Sequence, residues 1–238
     1  MNVLDLARPE IRALAAYSSA RMEARGGSIC LNANESPWPP FGSSANWNRY
    51  PDAQPAALVQ RLADLYAVKP DEVLVGRGSD EGIDLLVRAF CTAYRDAILI
   101  SPPTFGMYAV CARAQGAGVI EVPLRRDFSV DTDALLAAIT PAVKLVFVCA
   151  PNNPTGAAVA RGTILRLAAA LDGRALLVVD EAYVEFAAPK ADSVATAIAR
   201  HPNLVVLRTL SKAYALAGVR IGALLAAAPI VALLRKLM

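Results

Sequence analysis

Leu207-Arg208-Thr209-Leu210-Ser211-Lys212-Ala213-Tyr214-Ala215-Leu216-Ala217-Gly218-Val219-Arg220-Ile221-Gly222 decides how this chain is read. A lysine stands just after an apolar, strand-like run, behind two hydroxyl side chains, and an arginine follows in the same connection. Upstream, the apolar run Leu176–Val179 ends in Asp180-Glu181-Ala182-Tyr183, and Leu145–Cys149 ends in Ala150-Pro151-Asn152-Asn153-Pro154-Thr155-Gly156. Three buried-looking runs thus finish in polar, chemistry-bearing residues.

Similar runs recur at Val73–Val75, Ala97–Ile100, Val119–Val122 and Ile221–Leu225, and the run that precedes the lysine, Val205–Arg208, completes the set. Runs of Val, Ile and Leu without polar alternation are strands covered on both faces. Helical patterns separate most of them: Pro55–Tyr66, Glu81–Cys91, Gly106–Ala114, Thr132–Ile139, Thr163–Leu171 and Ser193–Ala199. Strands alternating with helices predict an α/β fold. Its central sheet is mostly parallel, with right-handed crossovers, and is sandwiched by helices. Ligands in such sheets bind at the carboxyl ends of the strands, where every motif here falls. Residues 1–50 are irregular, with a short helical piece over Pro9–Tyr17 and a proline-fixed extended stretch, Leu31 to Pro40.

Composition narrows the function classes. The 238 residues are 55% hydrophobic, enough for a sizeable core, and carry a formal net charge of +3 with scattered Lys and Arg. That pattern gives no nucleic-acid footprint. Cys30, Cys91, Cys111 and Cys149 lie in or beside apolar runs without CxxC spacing, which reads as reduced thiols of a cytoplasmic protein. The N-terminus lacks a secretory apolar region, and the run Val219–Leu234 is interrupted by Arg220, Gly222 and Pro229, so no membrane segment is expected. A single histidine, His201, rules out histidine triads and multi-histidine metal sites.

Each candidate site residue has a plain alternative. Gly76 to Gly82 follows a strand and opens a helix, where free N–H groups suit a phosphate; otherwise Ser79 or Asp80 is an ordinary helix cap. It does not match GxGxxG, which disfavours a dinucleotide site. Phe105 would lie flat on a cofactor ring or simply pack in the core. One Asn of Asn152-Asn153 would donate to a ligand oxygen, or the segment is only a turn. Asp180 at the end of an apolar run needs a partner, such as a protonated ring nitrogen; otherwise it bridges to an arginine or caps the next helix. Glu181 and Glu185 are expected to face solvent or a subunit contact. Lys212 alone would be a solvated loop lysine; with Thr209, Ser211 and Arg220 it stands beside a phosphate grip. A lysine nucleophile, a strand-end carboxylate, a Tyr and an Asn from different loops form the set a pyridoxal-phosphate enzyme needs.

The chain resembles the fold-type I pyridoxal-phosphate aminotransferases, and within them the histidinol-phosphate aminotransferase family. The matching stretches are Ala7-Arg8-Pro9 with Ile11-Arg12, Leu31 to Glu35, Arg49-Tyr50-Pro51, Gly78 to Gly82, Pro102 to Tyr108, Pro151 to Gly156, Asp180 to Tyr183 and Thr209 to Gly222. The resemblance implies that Lys212 bonds the cofactor pyridoxal 5'-phosphate and carries the reaction's proton. Asp180 would pair with the pyridine nitrogen, while Tyr183 and Asn153 would bind the ring oxygen. Phe105 would stack on the ring, where many relatives carry tyrosine. Ser79, Asp80, Thr209, Ser211 and Arg220 would hold the phosphate. Tyr50 would reach the phosphate of a partner subunit's cofactor, which implies a homodimer. The implied reaction is amino transfer between L-histidinol phosphate and 2-oxoglutarate in histidine biosynthesis. Related decarboxylases of threonine phosphate and aromatic-amino-acid aminotransferases share the frame, and a cofactor-binding domain without turnover is a third reading. The implied organisation is an N-terminal arm over residues 1–50 and a cofactor-binding large domain over 51–238, with the family's small C-terminal domain absent after Leu234–Met238.

Overall fold

Strands form where Val, Ile and Leu run together, because β-branched side chains pack well on a pleated, covered surface. The computed structural model describes residues 2–15, 33–42, 47–187 and 193–238. Among these, seven strands make one sheet: β1 (Val73–Gly76), β2 (Ala97–Ile100), β3 (Gly118–Glu121), β4 (Val143–Cys149), β5 (Leu176–Asp180), β6 (Leu204–Thr209) and β7 (Gly222–Leu225). Their order is β1-β7-β6-β5-β4-β2-β3. Strand β7 runs antiparallel to both β1 and β6, and the remaining pairs are parallel.

Alternating side chains of the central strands feed two cores. Phe147, Cys149, Val178, Val205 and Leu207 face one side, covered by α3 (Ser79–Phe90), α4 (Met107–Gln115) and α7 (Ala228–Arg235). Val146, Val148, Leu177, Val179, Leu204 and Val206 face the other, covered by α2 (Ala56–Tyr66), α5 (Thr132–Ala137) and α6 (Arg161–Ala170). The expected helix-sandwiched, mostly parallel sheet is the observed one. The short N-terminal helix α1 spans Pro9–Ala13. Tyr17, Cys30, Leu31 and Asn32, which belong to sequence expectations above, lie outside the described residues.

Two helix expectations need correction. The segment expected as a helix from Ser193 is a 3-10 turn over Ala195–Ala199. Its leading groups are drawn away: Ser193 Oγ donates to Glu181 Oε2 at 2.6 Å and the Val194 amide to Glu181 Oε1 at 2.7 Å. Helix α5 stops at Ala137 rather than Ile139, ahead of Thr140-Pro141, where the residue before proline disfavours helical backbone.

Strand β1 lies at an edge of the sheet. Its Val75 is met on the open side by the Gln54 side chain, whose Oε1 accepts the Val75 amide at 2.9 Å while Nε2 donates to the Val75 carbonyl at 2.8 Å. On the inner side Gly76 pairs with Gly222 of β7, which also pairs with Thr209 of β6. A Cβ at Gly222 would stand 2.4 Å from the Gly78 carbonyl carbon and 2.7 Å from the Ser79 nitrogen. Only glycine lets β7 pass this close to the start of α3. Gly222→Ala is therefore expected to force backbone apart rather than a flexible side chain, at a cost of about 3 kcal/mol in urea unfolding. An unchanged midpoint would show that the two segments separate freely.

Candidate active site

A cleft with about 500 Å³ of empty space opens where β1, β4, β5 and β6 end and α3 begins. Its lining includes Ser79, Asp80, Phe105, Asn153, Asp180, Tyr183, Thr209, Ser211, Lys212 and Arg220. The parallel sheet assembles them from loops that are far apart in sequence. Tyr50 is the exception among the expected site residues. It is exposed and lies outside the cleft lining. Its amide donates to Glu35 Oε1 at 2.7 Å, and Arg49 Nη1 pairs with Glu35 Oε2 at 2.9 Å, so Glu35 clasps this segment.

The floor of the cleft is Asp180, only 2% exposed. Its Oδ1 accepts the Ala182 amide at 3.1 Å, and its Oδ2 accepts the Tyr108 hydroxyl at 2.7 Å. Burial pushes the carboxyl up from 3.8 to about 6, and the two hydrogen bonds oppose that rise. Neither plain alternative holds: among the described residues no ion pair to Asp180 is present, and the 3-10 turn that follows at Val184–Phe186 has no side-chain cap.

At one end the cleft suits an anion. Gly78 has φ +85° and precedes α3, and neither Ser79 nor Asp80 caps the helix with its side chain. The capping alternative fails, and the first-turn N–H groups remain open beside the helix's positive end. Arg220 sits in left-handed backbone (φ 59°), a conformation costly for a side-chain-bearing residue and concentrated at functional sites. Its Nη1 lies 3.4 Å from Ser211 Oγ and its Nη2 donates to the Arg77 carbonyl at 3.3 Å. Thr209 Oγ1 accepts the Ser211 amide at 3.1 Å, fixing the turn that carries Lys212.

At the other end Asn153 Nδ2 reaches Tyr183 Oη at 3.5 Å. Lys212 Nζ stands 5.5 Å from the Tyr183 ring centre, a cation facing an aromatic surface. The two asparagines divide the work. Asn152 builds the loop, donating to the Pro103 carbonyl and to Thr155 Oγ1, each at 2.9 Å, and accepting from Thr104 Oγ1 at 2.9 Å. Asn153 is left to face the cleft.

Glu181 overturns the expectation of solvent or a subunit contact, whereas Glu185 is exposed as expected. Glu181 is buried and accepts Arg208 Nη1 at 2.8 Å; Glu185 pairs with Arg208 Nη2. The Arg208 guanidinium also lies 4.5 Å over the Tyr66 ring. Neighbouring residues of β5 and β6 point to opposite faces, so Asp180 and Thr209 reach the cleft while Glu181 and Arg208 satisfy each other behind it. Sequence reasoning also gave no role to Tyr108 or Cys149, which surround Asp180. The available signal was Tyr108's place one helical turn after Phe105.

The buried carboxyl has a stability consequence. Its folded-state value exceeds the unfolded one, so the folded chain holds a proton that the unfolded chain releases, and stability falls as pH rises from about 4 through about 6. Relative to wild type, Asp180→Asn should be about 3 kcal/mol more favourable at pH 8 than at pH 4 in urea unfolding of the ligand-free chain. A difference independent of pH would mean that Asp180 is solvated.

The arrangement has known counterparts. The sequence model described as aminotransferase class I and II matches residues 27–238. The histidinol-phosphate aminotransferase of Stenotrophomonas maltophilia (strain R551-3) is 55% identical across 99% of this chain, which spans 65% of that relative's length. The crystal structure of histidinol-phosphate aminotransferase from Sinorhizobium meliloti in complex with pyridoxal-5'-phosphate superposes with a TM-score of 0.74 at 30% identity, over 80% of this chain and 51% of that one. L-threonine-O-3-phosphate decarboxylase from Porphyromonas gingivalis gives a TM-score of 0.66 at 27% identity, over 78% of this chain and 56% of that one. With a cleft of this composition at the strand ends and a family match running from residue 27 to the last residue, the chain belongs to the class I and II aminotransferases.

Proposed function

We propose that the cleft binds pyridoxal 5'-phosphate and serves amino transfer between L-histidinol phosphate and 2-oxoglutarate, a step of histidine biosynthesis. The observation that carries this reading is the meeting of Lys212, buried Asp180 and the open start of α3 in one cleft. The residues fit the cofactor on their own chemistry. Asp180 is a buried acceptor with no ion-pair partner among the described residues, and the helix that opens at Ser79 beside the cleft has no side-chain cap.

In this reading Ser79, Asp80, Thr209, Ser211 and Arg220 hold the phosphate, and Phe105 lies against the ring. Asp180 pairs with the protonated ring nitrogen, and Tyr183 and Asn153 hydrogen-bond the ring oxygen. When bound, the cofactor supplies an electron sink for the pair left on the substrate's amine-bearing carbon. Lys212 Nζ would anchor the cofactor between turnovers, and during transfer would move the proton from that carbon to the cofactor's C4′. Residues 51–238 act as the cofactor domain and residues 1–50 as its arm. Tyr50, exposed beside the Glu35 clasp, is assigned to the phosphate of a second copy's site in a cytoplasmic homodimer. The likeness to the P. gingivalis decarboxylase favours carbon dioxide release as the second reading, with the same cofactor grip.

The test is the visible spectrum of the chain with added pyridoxal phosphate, before and after L-glutamate, in wild type and Lys212→Ala. Expected is a Lys212-dependent band that glutamate abolishes without release of carbon dioxide. A band that glutamate leaves unchanged would limit the chain to cofactor binding. Absence of any Lys212-dependent band would overturn the site assignment itself.

A further inference from the structure

Behind the cleft one polar side chain remains to be placed in the chemistry. Tyr108, on α4, is fully buried and stands behind the residues that line the cleft. Its ring stacks on Phe147 with centroids 4.6 Å apart and planes at 15°, and meets Phe105 edge-on at 5.6 Å and 83°. Its hydroxyl ends 2.7 Å from Asp180 Oδ2, within the range of a hydroxyl–carboxylate bond. Burial and the adjacent carboxylate push the Tyr108 phenol well above 10, so this hydroxyl donates and does not share its proton. Aromatic packing on two sides holds the donor in place independently of the carboxylate.

We propose that Tyr108 is a positioning residue for Asp180: its hydroxyl and the Ala182 amide fix the carboxylate plane and keep it ionised, as pairing with a cationic cofactor ring requires. The proposal rests on the cofactor reading given above. It also joins two parts of the site, since the ring that touches Phe105 carries the hydroxyl that holds Asp180.

The groups around Asp180 explain why such a donor is needed. Asp80 from α3 and Glu181 next along the chain both disfavour its charge, and Cys149 of β4 is a neutral thiol pushed up to about 12 by burial. Tyr183, Lys212 and Arg220 line the same cleft. Among the described residues no cation forms an ion pair with Asp180, so Tyr108 and the Ala182 amide are the donors that favour its charged form.

The test uses the intact chain and the shape-preserving variant Tyr108→Phe, with two readouts. The first is the carboxyl titration of Asp180 in the cofactor-free chain, followed by NMR with carbon-13-labelled aspartate and assigned with Asp180→Asn. Loss of a hydrogen bond to a charged group is expected to raise the midpoint by about one unit or more. The second is the dissociation constant for pyridoxal phosphate across the pH range. At about pH 8 binding should weaken roughly tenfold or more, with the fall in affinity on acidification beginning at higher pH than in wild type. Phe147→Leu removes the stacked ring but keeps the hydroxyl, and its Asp180 midpoint should stay at the wild-type value. A Tyr108→Phe midpoint equal to wild type, or a Phe147→Leu shift as large as that of Tyr108→Phe, would overturn the assignment to the hydroxyl. Failure of wild type to bind the cofactor would instead overturn the cofactor reading, and the titration would still decide the role of Tyr108.

Discussion

A buried carboxylate closes β5 at the floor of the cleft, and the surrounding architecture answers to it. Moving an ionised carboxyl out of water is expensive unless donors or a cation replace the lost hydration. Here the replacements are one backbone amide and one phenolic hydroxyl delivered by a helix from the adjoining layer. They offset part of the burial and leave the carboxyl raised, so the ligand-free chain holds its key acceptor in a costly state. A cationic ligand would relieve that cost, and this links the stability of the domain to the filling of its cleft.

The second buried charge cluster obeys the same rule with a different solution. On the far face of β5 and β6 Arg208 pairs with buried Glu181 and with the more exposed Glu185, and Ser193 and the Val194 amide also donate to Glu181. Removing one member of such a set strands the others without hydration. The cluster pins the segment after Tyr183 to the strand before Lys212, so two loops that meet in the cleft share one foundation. One face of the strand pair lines the cleft and the other ties the pair together.

Lys212, Asp180, Tyr183 and Asn153 were legible because each follows an apolar run, and the ends of parallel strands are where a covered sheet opens. The strands themselves were legible for the same reason, with ends displaced by only one or two residues. Tyr108 was not, because its partner lies 72 positions away and nothing local separates a donor tyrosine from a packed one. Glu181 was misread because a charge beside a site residue looks solvated until the parity of β6 places Arg208 opposite it. The Ala-rich stretch before Arg200 has helical propensity, but its leading amide is claimed by Glu181, and a tertiary bond overrides local preference.

The side chain of Gln54 has a consequence beyond its two bonds to Val75. An edge strand offers its free amide and carbonyl to any other extended chain, which is how sheets grow into aggregates. Gln54 presents one acceptor and one donor to Val75 in the geometry of a neighbouring strand, then ends. It satisfies the edge without extending it. A sheet this apolar is thereby closed to further strands at Val75, beside the very end that must stay open for a ligand.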